Sequence, residues 1–198
     1  AGIRQGAGSR RAMWGDLLMQ TSYSIAGSSF VSDEVVRPIL ILGLGNILLQ
    51  DEGIGVRVIE QLKREYQFPA DIEVLDGGTA GMALYEHVID RDHLIVVDAV
   101  KTGRPPGTLV TLNNDEVPAF FRNKVSPHQL ALSDILAALQ IAGNSPPQIT
   151  VIGIEPLDLN TGLEMSDTVT GKIHVLIDRV LAHVNTLGYA AIRSHKSH

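Results

Sequence analysis

Apolar positions change their spacing repeatedly along this chain, and each change marks an element. Ile39-Leu40-Ile41-Leu42 is a continuous apolar run that stops at Gly43. An uninterrupted run of this length predicts a strand buried on both faces of a parallel sheet. Across residues 53–66 the apolar side chains fall at Ile54, Val58, Ile59 and Leu62, a helical spacing, with Pro69 beyond it. Residues 72–75 read as a second strand ending at Asp76-Gly77-Gly78, and residues 82–89 as a short helix. Leu94-Ile95-Val96-Val97 predicts a third buried strand ending at Asp98. Residues 108–112 predict a fourth strand after the short Gly/Pro-rich connection 101–107. A parallel crossover needs about a dozen residues, so this strand should run antiparallel to the third. A helix over 129–141, a fifth strand over 149–154 and an amphipathic helix over 169–187 complete the pattern.

Strands and helices alternating at these lengths predict an α/β fold, a three-layer sandwich. Its five-stranded twisted sheet is mostly parallel, with one antiparallel strand. Right-handed crossovers place helices on both faces. Composition shifts at Arg37-Pro38. Before it lies a Gly/Ser-rich stretch without sustained period, so residues 1–36 are expected to be a flexible leader or extension. Residues 37–190 form the single α/β domain and residues 191–198 a flexible tail.

Of the 198 residues, 44% are hydrophobic and 19% charged, which suits a folded core and not a disordered chain. A net charge of -6 argues against a nucleic-acid partner, because phosphate binding needs clustered Lys and Arg. No cysteine is present, which removes disulfides, thiolate nucleophiles and iron–sulfur ligation. A metal must then be held by His, carboxylate or backbone oxygen. No apolar run reaches the roughly 18 residues of a membrane span, so no membrane partner is expected. Arg10-Arg11 precedes a short apolar stretch, but Asp16 and Gln20 interrupt what a signal peptide would need. The expected location is cytoplasmic.

In open α/β sheets, ligands bind beyond the carboxyl ends of the strands. Three loops leave that edge. One runs from Gly43 through Asp51-Glu52-Gly53, one carries Asp76-Gly77-Gly78-Thr79, and one begins at Asp98. If the third strand adjoins the first, Glu52 and Asp98 flank one crevice. The fourth strand ends at the opposite edge, and the connection 113–127 is long enough to return the chain. It would deliver Ser126-Pro127-His128 to the same crevice, with Pro127 leading into a helix. Two carboxylates and an imidazole so placed make a plausible first-row divalent metal site.

Plainer roles exist for each residue. Asp51 is better explained as an N-cap for the following helix. Glu52 can serve the helix dipole, and His128 can decorate a helix start. Asp76 can cap the Gly77-Gly78 turn, whose glycines would also permit close approach of an extended peptide. His87, His93, His174 and His183 lie in or beside regular elements without acidic partners at ligand spacing and receive no role; His195 and His198 belong to the tail. The sequence lacks a G-x-S-x-G elbow, an H-E-x-x-H helix and a G-x-x-x-x-G-K-[ST] loop. Gly43-Leu44-Gly45 begins like a dinucleotide fingerprint, but Leu48 occupies the third glycine position. Asp76 also lies too far beyond Gly45 for the ribose contact usually found about 20 residues on.

Four segments together resemble one known family. They are residues 41–57, opening Ile41-Leu42-Gly43-Leu44-Gly45-Asn46 and carrying Asp51-Glu52-Gly53; Leu75-Asp76-Gly77-Gly78-Thr79-Ala80-Gly81; His93-Leu94-Ile95-Val96-Val97-Asp98-Ala99; and Lys124-Val125-Ser126-Pro127-His128-Gln129. In order and spacing they resemble the hydrogenase maturation proteases, over about residues 38–190, and within that family the hydrogenase 2-type members. The resemblance implies an endopeptidase that removes the C-terminal extension of a nickel-loaded [NiFe] hydrogenase large-subunit precursor. It implies that Glu52, Asp98 and His128 bind the metal and act in catalysis. The nickel would be supplied by the precursor, and no organic cofactor is expected. Two other readings compete: a non-catalytic nickel-sensing hydrogenase chaperone, and a small-molecule enzyme holding a phosphate on the loop 43–46.

Overall fold

A computed structural model describes residues 38–117 and 127–194, excluding the side chains of Pro127 and His128. The expected leader 1–36 and the end of the tail lie outside the described residues. Five strands form the main sheet: β1 (Ile39–Leu44), β3 (Ile72–Gly78), β4 (His93–Ala99), β5 (Leu109–Asn113) and β6 (Gln148–Ile154). Their spatial order is β3-β1-β4-β6-β5. All pairings are parallel except β5 against β6. The fourth predicted strand therefore runs opposite to the third, but its hydrogen-bonded neighbour is the fifth. Local connection length set its direction, and only the packed sheet set its position.

Each side of the sheet has its own core. Ile39, Ile41, Ile95, Val97, Ile152 and Ile154 point to one face, packed against α1 (Ile54–Glu65) and α5 (Ile173–Thr186). Leu40, Leu42, Leu94, Val96 and Val151 point to the other. There they meet Leu84 and Val88, which flank and close the short α2 (Tyr85–Val88), and Leu132, Ile135 and Leu139 of α3 (Pro127–Ala142). Successive strand residues point to opposite faces, so both sets must be apolar, which explains the unbroken runs in β1 and β4.

The predicted helix over 169–187 is divided into α4 (Asp167–Thr170) and α5, with Gly171 and Lys172 between them. Short strands β2 (Tyr66–Gln67) and β7 (Ile192–Arg193) pair antiparallel beside the main sheet. Pairing by β7 and a bond from Ser194 N to Glu65 O occur within the stretch read as a tail. Among the described residues, no helix is long and apolar enough to cross a membrane.

Candidate active site

The loop after β1 turns back onto the sheet because two glycines permit backbone contacts that a side chain would block. Gly45 has φ +134, and a Cβ there would lie 1.8 Å from the Glu52 carbonyl oxygen. A Cβ on Gly55 would lie 2.2 Å from the carbonyl oxygens of both Leu44 and Val97. The first turn of α1 is thus pressed against the carboxyl ends of β1 and β4. The 3-10 turn Gln50–Gly53 before it carries Glu52 to the same edge.

Glu52 is buried, 6% exposed. Its Oε2 has no hydrogen-bond partner among the described residues. Asp98, at the end of β4, is fully buried. Its Oδ1 accepts from Ala99 N at 2.8 Å and its Oδ2 from Gln129 Nε2 at 2.6 Å. Gln129 is itself buried and lies in the first turn of α3. That bond ties the start of α3, where His128 is the second residue, to the end of β4. β1 and β4 are adjacent, so Glu52 and Asp98 share an edge as the crevice argument requires. The side chain of His128, like residue Ser126, lies outside the described residues. Among the described residues, no group of three His, Asp or Glu side chains converges at metal-holding distance.

Asp51 differs from its expected role. Neither the 3-10 turn nor α1 has a side-chain N-cap bond; their N-cap positions are Leu49 and Gly53. Asp51 is fully buried and accepts from Leu157 N, Asp158 N, Ser166 N and Ser166 Oγ at 2.8–2.9 Å. It fastens the loop after β6 to the loop after β1, supported by Gln50 N to Gly162 O at 3.0 Å and Gly162 N to Leu48 O at 2.9 Å. These partners stand more than a hundred positions away, beyond the reach of local pattern. Asp76 does cap its turn, accepting from Gly78 N at 3.0 Å. Gly77 does not offer an open face. A Cβ there would meet Leu42 Cδ1 at 2.7 Å, so this glycine packs on core leucines.

Gln129 is the site residue that the pattern did not single out. Its signal was its position directly after Pro127-His128, but one glutamine at a helix start carries no chemistry until its partner is known. Two histidine contacts join residues distant in sequence, which spacing does not show. His87 does have an acidic neighbour, Glu73 Oε1 at 3.7 Å, although that carboxylate also pairs with Arg91. His93 and His183 meet each other, far from this edge, with Nε2 to Nε2 at 3.2 Å.

A buried carboxylate with an unpartnered oxygen is costly, since desolvation disfavours it unless a donor or cation compensates. Glu52 Oε2 is therefore a group at this edge able to accept from a donor or face a cation. Asp98 is held in one orientation by Ala99 N and Gln129. Around them, the loops leaving this edge expose Ile47, Leu48, Met82, Leu157 and Leu163. Apolar side chains exposed on loops around a site offer contact area to a polypeptide.

Comparison with known proteins adds an independent line. The family model of hydrogenase maturation proteases (HycI) matches residues 56–183. The chain is similar to the hydrogenase 2 maturation protease of Escherichia coli (strain K12), 45% identical over 161 residues, covering 81% of this chain and 98% of that protein. It is also similar to the hydrogenase expression/formation protein HupD of Rhodobacter capsulatus, 40% identical over 152 residues, 76% of this chain and 72% of that protein. Among solved structures, the hydrogenase maturating endopeptidase HybD of E. coli superposes with a TM-score of 0.76 at 47% identity, covering 78% of this chain and 96% of that one.

Proposed function

Because this chain belongs to the hydrogenase maturation protease family, and is therefore a peptidase, we propose that it removes the C-terminal extension of a [NiFe] hydrogenase large-subunit precursor once nickel has been inserted. The observation that carries the site assignment is the buried pair Glu52 and Asp98 at one sheet edge, with Glu52 Oε2 unpartnered among the described residues. Glu52, Asp98 and His128 are the proposed metal-contacting and catalytic set. Oxygen and imidazole donors suit a first-row divalent ion. The nickel belongs to the substrate: it arrives with the precursor, so its presence reports that loading is complete.

The division of labour follows from the surroundings of each group. Glu52 supplies a carboxylate whose burial strengthens any interaction with a cation or a substrate N–H. Asp98 is oriented by Ala99 N and Gln129, so it meets its target without reorganisation. The exposed apolar residues on the surrounding loops support a polypeptide substrate. A substrate-held metal can polarise the scissile carbonyl or lower the pKa of a water. The chain's own residues would hold the peptide against it, and one of Glu52, Asp98 and His128 would carry a proton from the attacking water to the leaving amine. The proposed setting is the cytoplasm, with which a cysteine-free chain is compatible.

The intact mass of a matching precursor, before and after incubation with this protein, tests the proposal. Loss of one defined C-terminal peptide from the nickel-loaded form alone is expected. Glu52→Gln and Asp98→Asn should each reduce the cleavage rate by at least about a hundredfold, with an unchanged far-ultraviolet circular dichroism spectrum. An unchanged mass alongside a stable complex would instead establish the nickel-sensing chaperone. Normal cleavage by both variants would remove these carboxylates from the site.

A further inference from the structure

At the opposite edge of the sheet, a second polar cluster lies between β4, β6, β5 and α5. His93 opens β4 and is 6% exposed, and Thr150 of β6 is 2% exposed. His93 Nε2 lies 3.1 Å from Thr150 Oγ1 and 3.2 Å from His183 Nε2. Thr150 Oγ1 in turn lies 3.2 Å from Asn113 Oδ1 at the end of β5. The two imidazoles are edge-on, with planes at 73° and centroids 5.1 Å apart.

The bonds in this cluster depend on which ring nitrogens carry protons. A neutral imidazole offers one donor and one acceptor, and His93 also bonds the side chain of Gln148. When its single proton serves Gln148, Nε2 is a bare acceptor, as an imidazole that binds a metal must be. A cation between two such Nε2 atoms would engage both imidazoles. Ligand nitrogens at about 2.0–2.1 Å from a zinc ion and near-tetrahedral angles stand roughly 3.2–3.4 Å apart. The Nε2 separation of 3.2 Å falls in that range.

We propose that His93 and His183 form a binding site for a zinc-class divalent cation, at the edge of the sheet opposite the Glu52–Asp98 crevice, with water completing the coordination. Imidazole ligands without a carboxylate favour zinc, nickel or copper over magnesium or calcium. Ligands must be neutral to bind. Burial keeps both rings neutral, pushing His93 down to about 4 and His183 below its ordinary value, and each protonated ring would also repel the other. His183 is partly exposed on the outer helix, which gives an ion a route in from solvent. The nearest charged neighbour on α5 is Arg179, one turn away, and its guanidinium is engaged with Thr111 Oγ1 at 3.2 Å. The ion would bridge β4 and α5, elements far apart in sequence, and so bind the folded chain in preference to the unfolded one.

Zinc alone, titrated calorimetrically into the full chain, tests this. Three backgrounds are compared: His183→Ala, the double variant Glu52→Gln/Asp98→Asn, and the double variant His195→Ala/His198→Ala. One binding event should survive in both double variants and weaken by more than tenfold in His183→Ala, exceeding the roughly tenfold that loss of even an outer-shell partner costs. Nitrogen-15 spectra should show zinc shifting the ring nitrogens of His93 and His183, a readout that needs no variant. Zinc binding unchanged in His183→Ala, or ring signals of His93 and His183 that ignore zinc, would overturn the proposal. Loss of all binding in either double variant would place the ion elsewhere and overturn it too.

Discussion

Asp51 lies beneath four hydrogen bonds, whereas the next residue, Glu52, buries an oxygen with none among the described residues. One turn thus holds a stabilising carboxylate beside a destabilising one. Asp51→Asn replaces an acceptor oxygen with a donor facing donors, and leaves at least one backbone N–H unsatisfied. A loss of about 3 kcal/mol is expected, from the worth of hydrogen bonds to charged groups. Glu52→Gln removes a charge from a buried, unpartnered position and should raise stability by about 1 kcal/mol while abolishing cleavage. Urea unfolding of both variants measures the signs. A Glu52→Gln protein less stable than the parent would show that a donor, and not the substrate, compensates that oxygen in the free enzyme. Gln129 belongs at this scale as a positioning residue, because it acts through Asp98.

At the scale of elements, the close approach of α1 to β1 and β4 depends on the absence of two side chains. Gly55→Ala would put a methyl group 2.2 Å from two carbonyl oxygens that belong to strand ends, not to flexible side chains. The helix would have to move away from the sheet, taking the turn of Glu52 with it. Overpacking of this kind costs about 1–3 kcal/mol and sometimes more. The variant should therefore lose stability and cleavage together, measured by thermal unfolding and by the precursor mass. Retention of full cleavage would mean that the turn is placed independently of α1. The Gly-rich opening segment, legible as a loop in the sequence, is in this light a packing requirement as well as a turn.

For the whole molecule, the pH dependence of stability should carry the mark of His93. Its pKa is lowered to about 4, first by burial and then by the neighbouring His183, with a side-chain hydrogen bond to Gln148 opposing the drop. The groups facing it are His183 from α5, Thr150 and Gln148 from β6 and Asn113 beyond them, and none of these is a carboxylate. Below pH 6.5 the unfolded chain protonates this histidine while the folded chain does not, so the unfolded state binds more protons and stability falls as pH falls. The contribution is fully present above about pH 6.5 and is lost progressively down to about pH 4. It should amount to about 3 kcal/mol. His93→Asn should flatten the thermal midpoint over that interval, measured without added metal. An unchanged slope would assign the loss to other groups.

Hydrophobic periodicity by itself determined the five strands, their mostly parallel arrangement and the two helical layers. Burial on two faces demands unbroken apolar runs, and burial on one face demands helical spacing. The position of Glu52 and Asp98 at one edge was legible for the same reason, since strand ends and loop residues are read from the run lengths. Tertiary structure alone decided that β5 lies beside β6, that Asp51 clamps a loop more than a hundred residues away, that Gln129 orients Asp98, and that His93 meets His183. Each of these is a pairing between distant segments. A polar residue's partner across the fold leaves no period in the local sequence, because its geometry comes into existence only when the core has packed.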